Sequence, residues 1–250
     1  MSTHTFRYRV DAPFACGEEI TLDQDDSHHL ARVVRRHAGD AIEVIDSTSA
    51  LWPARIVDIG PPTRVEIVGS AIPPPPHAPV RLYVGLLDWA RLDAAHGQLT
   101  ELGVPEVVLF TSARAARTPG QKEWLRRASR LDRVADAAAR QSGLGARPTV
   151  RGVVAFETVL DEIVPGDSYL LHPAARLSLD VALAGHEGSS AMLVVGPEAG
   201  FTADEVAGAQ DHGATVCGLG RRVLRTGTAA IVAVSAAMLA LGALDPEALA

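Results

Sequence analysis

Lysine is almost missing from this 250-residue chain, Lys122 being the only one, and cysteine is limited to Cys16 and Cys217. The two cysteines lie far apart and fall into no Cys-x-x-Cys or Cys/His spacing. They exclude a zinc site or a disulfide framework and read as buried, reduced thiols. Residues 1–20 hold no apolar run that could form a signal-peptide core, and the longest apolar stretch, Ala229 to Leu244, is short of the ~18 residues a membrane span needs. A soluble, cytoplasmic protein with no membrane partner is expected. No Gly-x-x-x-x-Gly-Lys, Gly-x-Ser-x-Gly or His-Glu-x-x-His is found, which removes the usual signatures of phosphate-loop, serine-hydrolase and zinc-protease chemistry. Gly218-x-Gly220-x-x-Val223 lacks the third glycine of a dinucleotide fingerprint. An excess of positive charge is absent too: 30 acidic residues against 23 Lys and Arg leave a net charge of −7. Nonspecific nucleic-acid binding needs such an excess to displace counterions, so any RNA contact must be local.

What is present is apolar residue: 47% of the chain is hydrophobic and 21% charged, enough to bury a core in one or two domains. The densest basic stretch runs from His28 to His37 and carries Arg32, Arg35 and Arg36, whose guanidinium groups can grip phosphate bidentately and stack on bases. A solvated helix face is the equal alternative there. Residues 73–79 read Pro-Pro-Pro-Pro-His-Ala-Pro, a semi-rigid linker that cannot continue a helix or a central strand. Before it, the basic helix is followed by β-rich runs over 41–46, 51–59 and 64–68, separated by Ser47-Thr48-Ser49 and Gly60-Pro61-Pro62. A small β-barrel-like module over 1–72 is expected.

After the linker, apolar strands alternate with helices, which predicts an α/β domain over 80–250 around a mainly parallel sheet. Strands are expected over 80–86, 107–110, 168–171, 191–195 and 214–218, and helices over 92–102, 122–142, 203–212 and 229–241. Ligands of open α/β sheets bind beyond the carboxyl ends of the strands, so three loops stand out: 170–173, 196–202 and 218–228. In the second, Gly196 and Gly200 permit close approach of the backbone to a ligand, and Thr202 with Glu205 reads as a capping box. A plain strand-to-helix turn explains the same residues nearly as well. The third loop places Arg221, Arg222 and Arg225 ahead of a helix apolar on every side, which implies burial in a core or against a partner subunit.

The segments GPEAGFTADEV at 196–206 and LGRRVLRTGTAA at 219–230 resemble the paired signatures of RsmE enzymes in the SPOUT methyltransferase superfamily. TELGV at 100–104, TSAR at 111–114, ARQSG at 139–143 and LLHP at 170–173 are similar to further family blocks, so the resemblance covers essentially the whole chain. It implies a PUA-like β-barrel that helps hold RNA, followed by an α/β domain with a deep trefoil knot. It also implies a homodimer, S-adenosylmethionine as cofactor, no metal, and methylation at N3 of a uridine in 16S ribosomal RNA, within the small subunit. Carried over position by position, Leu171, His172, Gly196, Pro197, Glu198, Gly200, Leu219, Leu224 and Arg225 fall where the family forms its cofactor pocket. His172 reads equally as a structural residue at a strand end. Arg32, Arg35, Arg36 and Arg114 are the expected RNA contacts. Arg225 is the expected catalytic residue, stabilising negative charge on the uracil as the bond forms. Departures from the family pattern occur at Asp88 and Gln98, where Lys is common, at Arg140 and Gly227, where Glu is common, at Leu144, where Arg is common, and at Ala199, usually glycine. They leave open an RNA-binding homologue with impaired catalysis, or a methyltransferase acting on a different RNA or a small molecule.

Overall fold

The computed structural model describes residues 6–73, 79–115, 118–142 and 147–244. Most of the expected linker and Leu144 lie outside them. The chain divides into two compact units, residues 1–75 with 139–146, and residues 76–138 with 147–250.

In the N-terminal unit, β1 (Arg7–Arg9), β2 (Glu19–Thr21), β3 (Ala41–Ile45), β4 (Leu51–Asp58) and β5 (Arg64–Ile67) form one sheet in the order β1-β3-β4-β5-β2. Alternation builds its core: Val65 and Ile67 of β5 are buried opposite Ile56 and Ala54 of β4, while Arg64 stays in water. The three longer strands lie within a residue or so of expectation. β1 and β2 are too short for their alternation to show in the sequence. The turn after β3 is held by Asp46, whose buried carboxylate accepts from Thr48 N (2.8 Å), Thr48 Oγ1 (2.7 Å), Ala50 N (3.0 Å) and Trp52 Nε1 (2.8 Å). Burial alone would raise its pKa, but these bonds outweigh it and hold the group below the usual carboxylate range.

The basic stretch 28–37 is helical only as far as Val34. Asp23 caps α1 (Gln24–His28) by accepting from Asp26 N at 2.7 Å, and the chain continues as a π-helical turn over His29–Val34. Arg35 ends it in the left-handed conformation, φ 57°. Arg32 is thus helical, Arg35 terminal and Arg36 beyond the helix, so the three arginines share no helical face. Arg36 lies over the Phe6 ring at 5.2 Å and 3.9 Å from Asp40. Within this unit Arg140 sits 3.3 Å from Asp26, so that departure is matched by a local carboxylate. Cys16 corrects the expectation of two buried thiols: it is exposed in the turn before Gly17, and only Cys217 is buried.

The C-terminal unit is built on β6 (Val80–Gly85), β7 (Glu106–Thr111), β8 (Thr149–Ala155), β9 (Ser168–Leu171), β10 (Ala191–Val195) and β11 (Thr215–Cys217). All its strand pairs are parallel, in the order β11-β9-β10-β6-β7-β8. β9 and β10 are buried at every position because helices cover both faces. One face receives Leu82, Val84, Leu109 and Val195 and is covered by α2 (Trp89–Glu101), α3 (Gln121–Ser142), α5 (Leu179–Ala184) and α7 (Thr226–Ala240). The other receives Tyr83, Phe110 and Val194 under α4 (Phe156–Asp161) and α6 (Ala203–Asp211). The sequence expectations omit β8, α4 and α5. α7 buries Ala230, Ala233, Val234, Ala237 and Met238 and leaves Val232 and Leu239 exposed, so its uniform apolarity serves two surfaces. Among the described residues, no helix is long and apolar enough to cross a membrane, and no cluster of His, Cys, Asp and Glu could hold a metal ion.

Candidate active site

Because the sheet is parallel, every strand-to-helix loop leaves it along one edge, and the loops after β9, β10 and β11 converge there. They enclose a cavity of about 590 Å³ whose lining includes Leu171, His172, Gly196, Pro197, Glu198, Gly200, Leu219, Leu224 and Arg225. The nine residues expected at a cofactor pocket therefore share one cavity, and Arg114 lines it too. Arg32, Arg35 and Arg36 belong to the N-terminal unit.

Each loop has a local cause. After β10, a Cβ on Gly196 would stand 2.7 Å from the Phe201 ring, which stacks on Phe110 with centroids 6.1 Å apart, so only glycine lets the chain pass this anchor. Gly200 turns the backbone at φ 70°, and a Cβ there would meet nothing nearer than Arg114 Nη1 at 4.0 Å; conformation, not crowding, requires this glycine. α6 then starts on a complete capping box, Thr202 N donating to Glu205 at 2.7 Å and Glu205 N to Thr202 Oγ1 at 3.1 Å. The second Glu205 oxygen accepts from Ala113 N at 2.7 Å, and Arg114 donates to Ala199 O at 3.1 Å, so the loop after β7 is fastened to the loop after β10. The loop after β9 is tied to β11 by His172 N donating to Cys217 O at 2.8 Å and Gly218 N to Leu177 O at 2.9 Å. His172 Nδ1 accepts from Ala174 N at 3.3 Å, which serves its structural reading while the residue still lines the cavity. Thr226 closes the set, its hydroxyl donating to Gly196 O at 3.0 Å.

Sequence reasoning missed two contributors. Arg91 of α2 lines the cavity and forms an ion pair with Glu198, the one carboxylate among the described lining residues. Gly85 ends β6 so close to the second loop that a Cβ would fall 2.3 Å from Pro197 N. Arg222, already noted in the third loop, joins Arg91, Arg114 and Arg225, giving among the described lining residues four guanidinium groups against one carboxylate in a chain of net charge −7. Arg91 sits on a helix with no local signature, and no spacing in the sequence could have tied it to Glu198. Two departures have structural roles: Asp88 caps α2 by accepting from Ala90 N at 3.0 Å, and a Cβ on Gly227 would stand 3.3 Å from that of Ala95, so glycine lets α7 approach α2 closely.

The sequence model of the RNA methyltransferase domain matches residues 74–238, and that of the RNA methyltransferase PUA domain matches residues 22–68. With the parallel sheet and its loop-built cavity, these define a PUA-containing RNA methyltransferase of the SPOUT fold. A ribosomal RNA small subunit methyltransferase E of Mycobacterium bovis is 31% identical over 92% of this chain and 89% of its own. A Legionella pneumophila protein solved with bound SAM superposes with a TM-score of 0.81 at 23% identity, covering 95% of this chain and 98% of the other. The ribosomal RNA small subunit methyltransferase E of Neisseria gonorrhoeae, solved with S-adenosylmethionine, does so at 0.79 and 23%, covering 94% and 98%. This chain belongs to the ribosomal RNA small subunit methyltransferase E family.

Proposed function

We propose that this protein transfers a methyl group from S-adenosylmethionine to N3 of a uridine in 16S ribosomal RNA of the small subunit. The observation that carries this reading is the joining of two chemistries in one cavity: backbone walls from the three loops, and four arginines, Arg222 and Arg225 from the third loop with Arg91 and Arg114 from outside the three. A cavity of about 590 Å³ has the size typical of cofactor sites, and its glycine-rich walls expose peptide groups that can bond adenine and methionine polar atoms. S-adenosylmethionine supplies an already activated methyl group when bound.

The residues must then orient the acceptor and manage its proton. Leu171, His172, Gly196, Pro197, Glu198, Gly200, Leu219 and Leu224 form the cofactor side. Uridine N3 is protonated at neutral pH, so methylation requires that its proton pass to solvent water and that the uridinate left behind be stabilised. Arg225, at the entry to α7, is the group for that work, its guanidinium facing the developing charge on the uracil oxygens. Glu198 is engaged by Arg91, which fixes the loop. The base must be unpaired or extruded to expose N3. Arg114, with Arg32, Arg35 and Arg36 of the PUA-like unit, binds RNA phosphates.

Three further features belong to this reading. The crossing of the loops around 218–228 is a trefoil knot, an arrangement ordinary folding rules disfavour and the family resemblance supports. The protein works as a homodimer, supported by the exposed Val232 and Leu239 of α7. It acts in the cytoplasm, where ribosomes assemble. The test is methylation by the purified protein of small ribosomal subunits lacking their own modification, followed by nucleoside analysis. Appearance of 3-methyluridine is expected; any other methylated nucleoside, or none, overturns the assignment.

A further inference from the structure

α3 leaves from the edge of the sheet that carries the cavity. It joins β7 to β8, which are parallel, so it must begin at their carboxyl edge and run back toward the amino edge. At 100° per residue, Lys122, Arg126 and Arg133 fall within about 40° of one another, on the side opposite buried Leu131 and Ala135. All three are exposed, and from first to last they span about 16 Å of helix. Lys122 is the one lysine of the chain.

The neighbouring charges are already engaged. Asp136 lies 3.1 Å and Asp132 3.9 Å from Arg147, and Glu123 accepts from Trp89 Nε1 at 3.1 Å. Arg130, off the line, pairs with Asp93. Among the described residues, Lys122, Arg126 and Arg133 have no acidic partner; Arg133 Nε reaches only Ser129 O of its own helix, at 3.4 Å. Three unneutralised cations on one rigid line repel each other, and a row of phosphates relieves that repulsion while releasing its own counterions. In a chain of net charge −7, this placement confines attraction for a polyanion to chosen lines.

We propose that the solvent face of α3, through Lys122, Arg126 and Arg133, is a phosphate track that binds the backbone of the ribosomal RNA substrate leading away from the active-site edge. The track rests on the reading of RNA as substrate. Its contacts are to phosphate and carry no base specificity, so they position the strand and leave the choice of base to the cavity.

The experiment measures binding of in vitro transcribed 16S ribosomal RNA across a salt series, for the full-length protein and for Lys122→Ala/Arg126→Ala/Arg133→Ala. The triple variant is expected to bind about tenfold or more weakly at low salt, with a log–log salt slope shallower by about 2. Its affinity for S-adenosylmethionine, read by calorimetry, stays at the wild-type value and certifies the fold. If the triple variant is poorly soluble, Arg126→Ala and Arg133→Ala alone each lower the slope by roughly 0.7. Wild-type affinity and slope in these variants overturn the track while leaving the proposed activity standing. A defect seen only on assembled small subunits, with naked RNA bound normally, assigns the face to a ribosomal protein and also overturns it. Failure of the wild-type protein to bind the RNA at all overturns the proposed substrate along with the track.

Discussion

Replacing Gly85 by alanine probes whether β6 sets the position of the loop that walls the cavity. The added methyl would stand 2.3 Å from Pro197 N, 2.4 Å from Pro197 Cδ and 2.9 Å from the carbonyl carbon of Gly196. All three atoms belong to a proline ring or to backbone, so no side-chain rotation can relieve the clash. Ordinary carbon contacts lie near ~3.5 Å, and the 196–197 segment must therefore withdraw by about 1 Å. Phe201 is clamped on Phe110, and Thr226 holds Gly196 O, so the withdrawal strains both ends of the loop. Overpacking of this kind costs about 1–3 kcal/mol in stability. A wall displaced by about 1 Å can cost on the order of 10²-fold in a well-aligned reaction. Gly85→Ala should therefore unfold at lower urea than wild type, remain folded at room temperature, and bind S-adenosylmethionine at least tenfold more weakly by calorimetry. Wild-type cofactor affinity in the folded variant would refute the argument that β6 and this loop are in obligatory contact.

Gly200→Val forces a β-branched residue into φ 70° and should cost about 2 kcal/mol while weakening cofactor binding; normal calorimetric affinity would move the pocket elsewhere. Arg225→Ala should keep most cofactor affinity and lose roughly 10²–10³ in single-turnover methylation, and a wild-type rate would end its catalytic assignment. Replacing Arg32, Arg35 and Arg36 by alanine should weaken RNA binding and flatten its salt dependence, whereas unchanged binding would show that they make no phosphate contact. His96 is buried with no partner for either ring nitrogen among the described residues, and burial depresses its pKa to about 4, against the pull of Asp132 and Asp93. The unfolded chain takes up this proton first, so the stability it permits is full above pH 6.5 and falls as pH drops toward 4. Between pH 7 and pH 5 the loss is roughly 2 kcal/mol. His96→Leu should remove that share of the pH dependence in urea titrations, and an unchanged profile would show that other groups carry it.

Much of the α/β unit could be read from local patterns. Largely apolar runs at 168–171 and 191–195 mark strands covered on both faces, and Thr202 with Glu205 marks a helix start, because such periodicities and caps are decided by residues a few positions apart. The nine residues expected at a cofactor pocket come from three segments, 170–173, 196–206 and 219–230, each continuous in the chain, and all nine line one cavity. Short or irregular segments escaped: three-residue β1 and β2 carry too little alternation to register, and the π-helical turn ending at Arg35 follows from backbone geometry that a basic composition does not encode. Cys16 shows the same limit, since residue type suggested burial and its turn put it in water. Contacts between distant positions belonged to the tertiary structure alone. Arg91 meets Glu198, and Gly85 meets Pro197, only because β10 is seated beside β6 and the parallel sheet delivers their loops to one edge. Strand order and register are settled by how the whole core packs, and no spacing along the chain reports them.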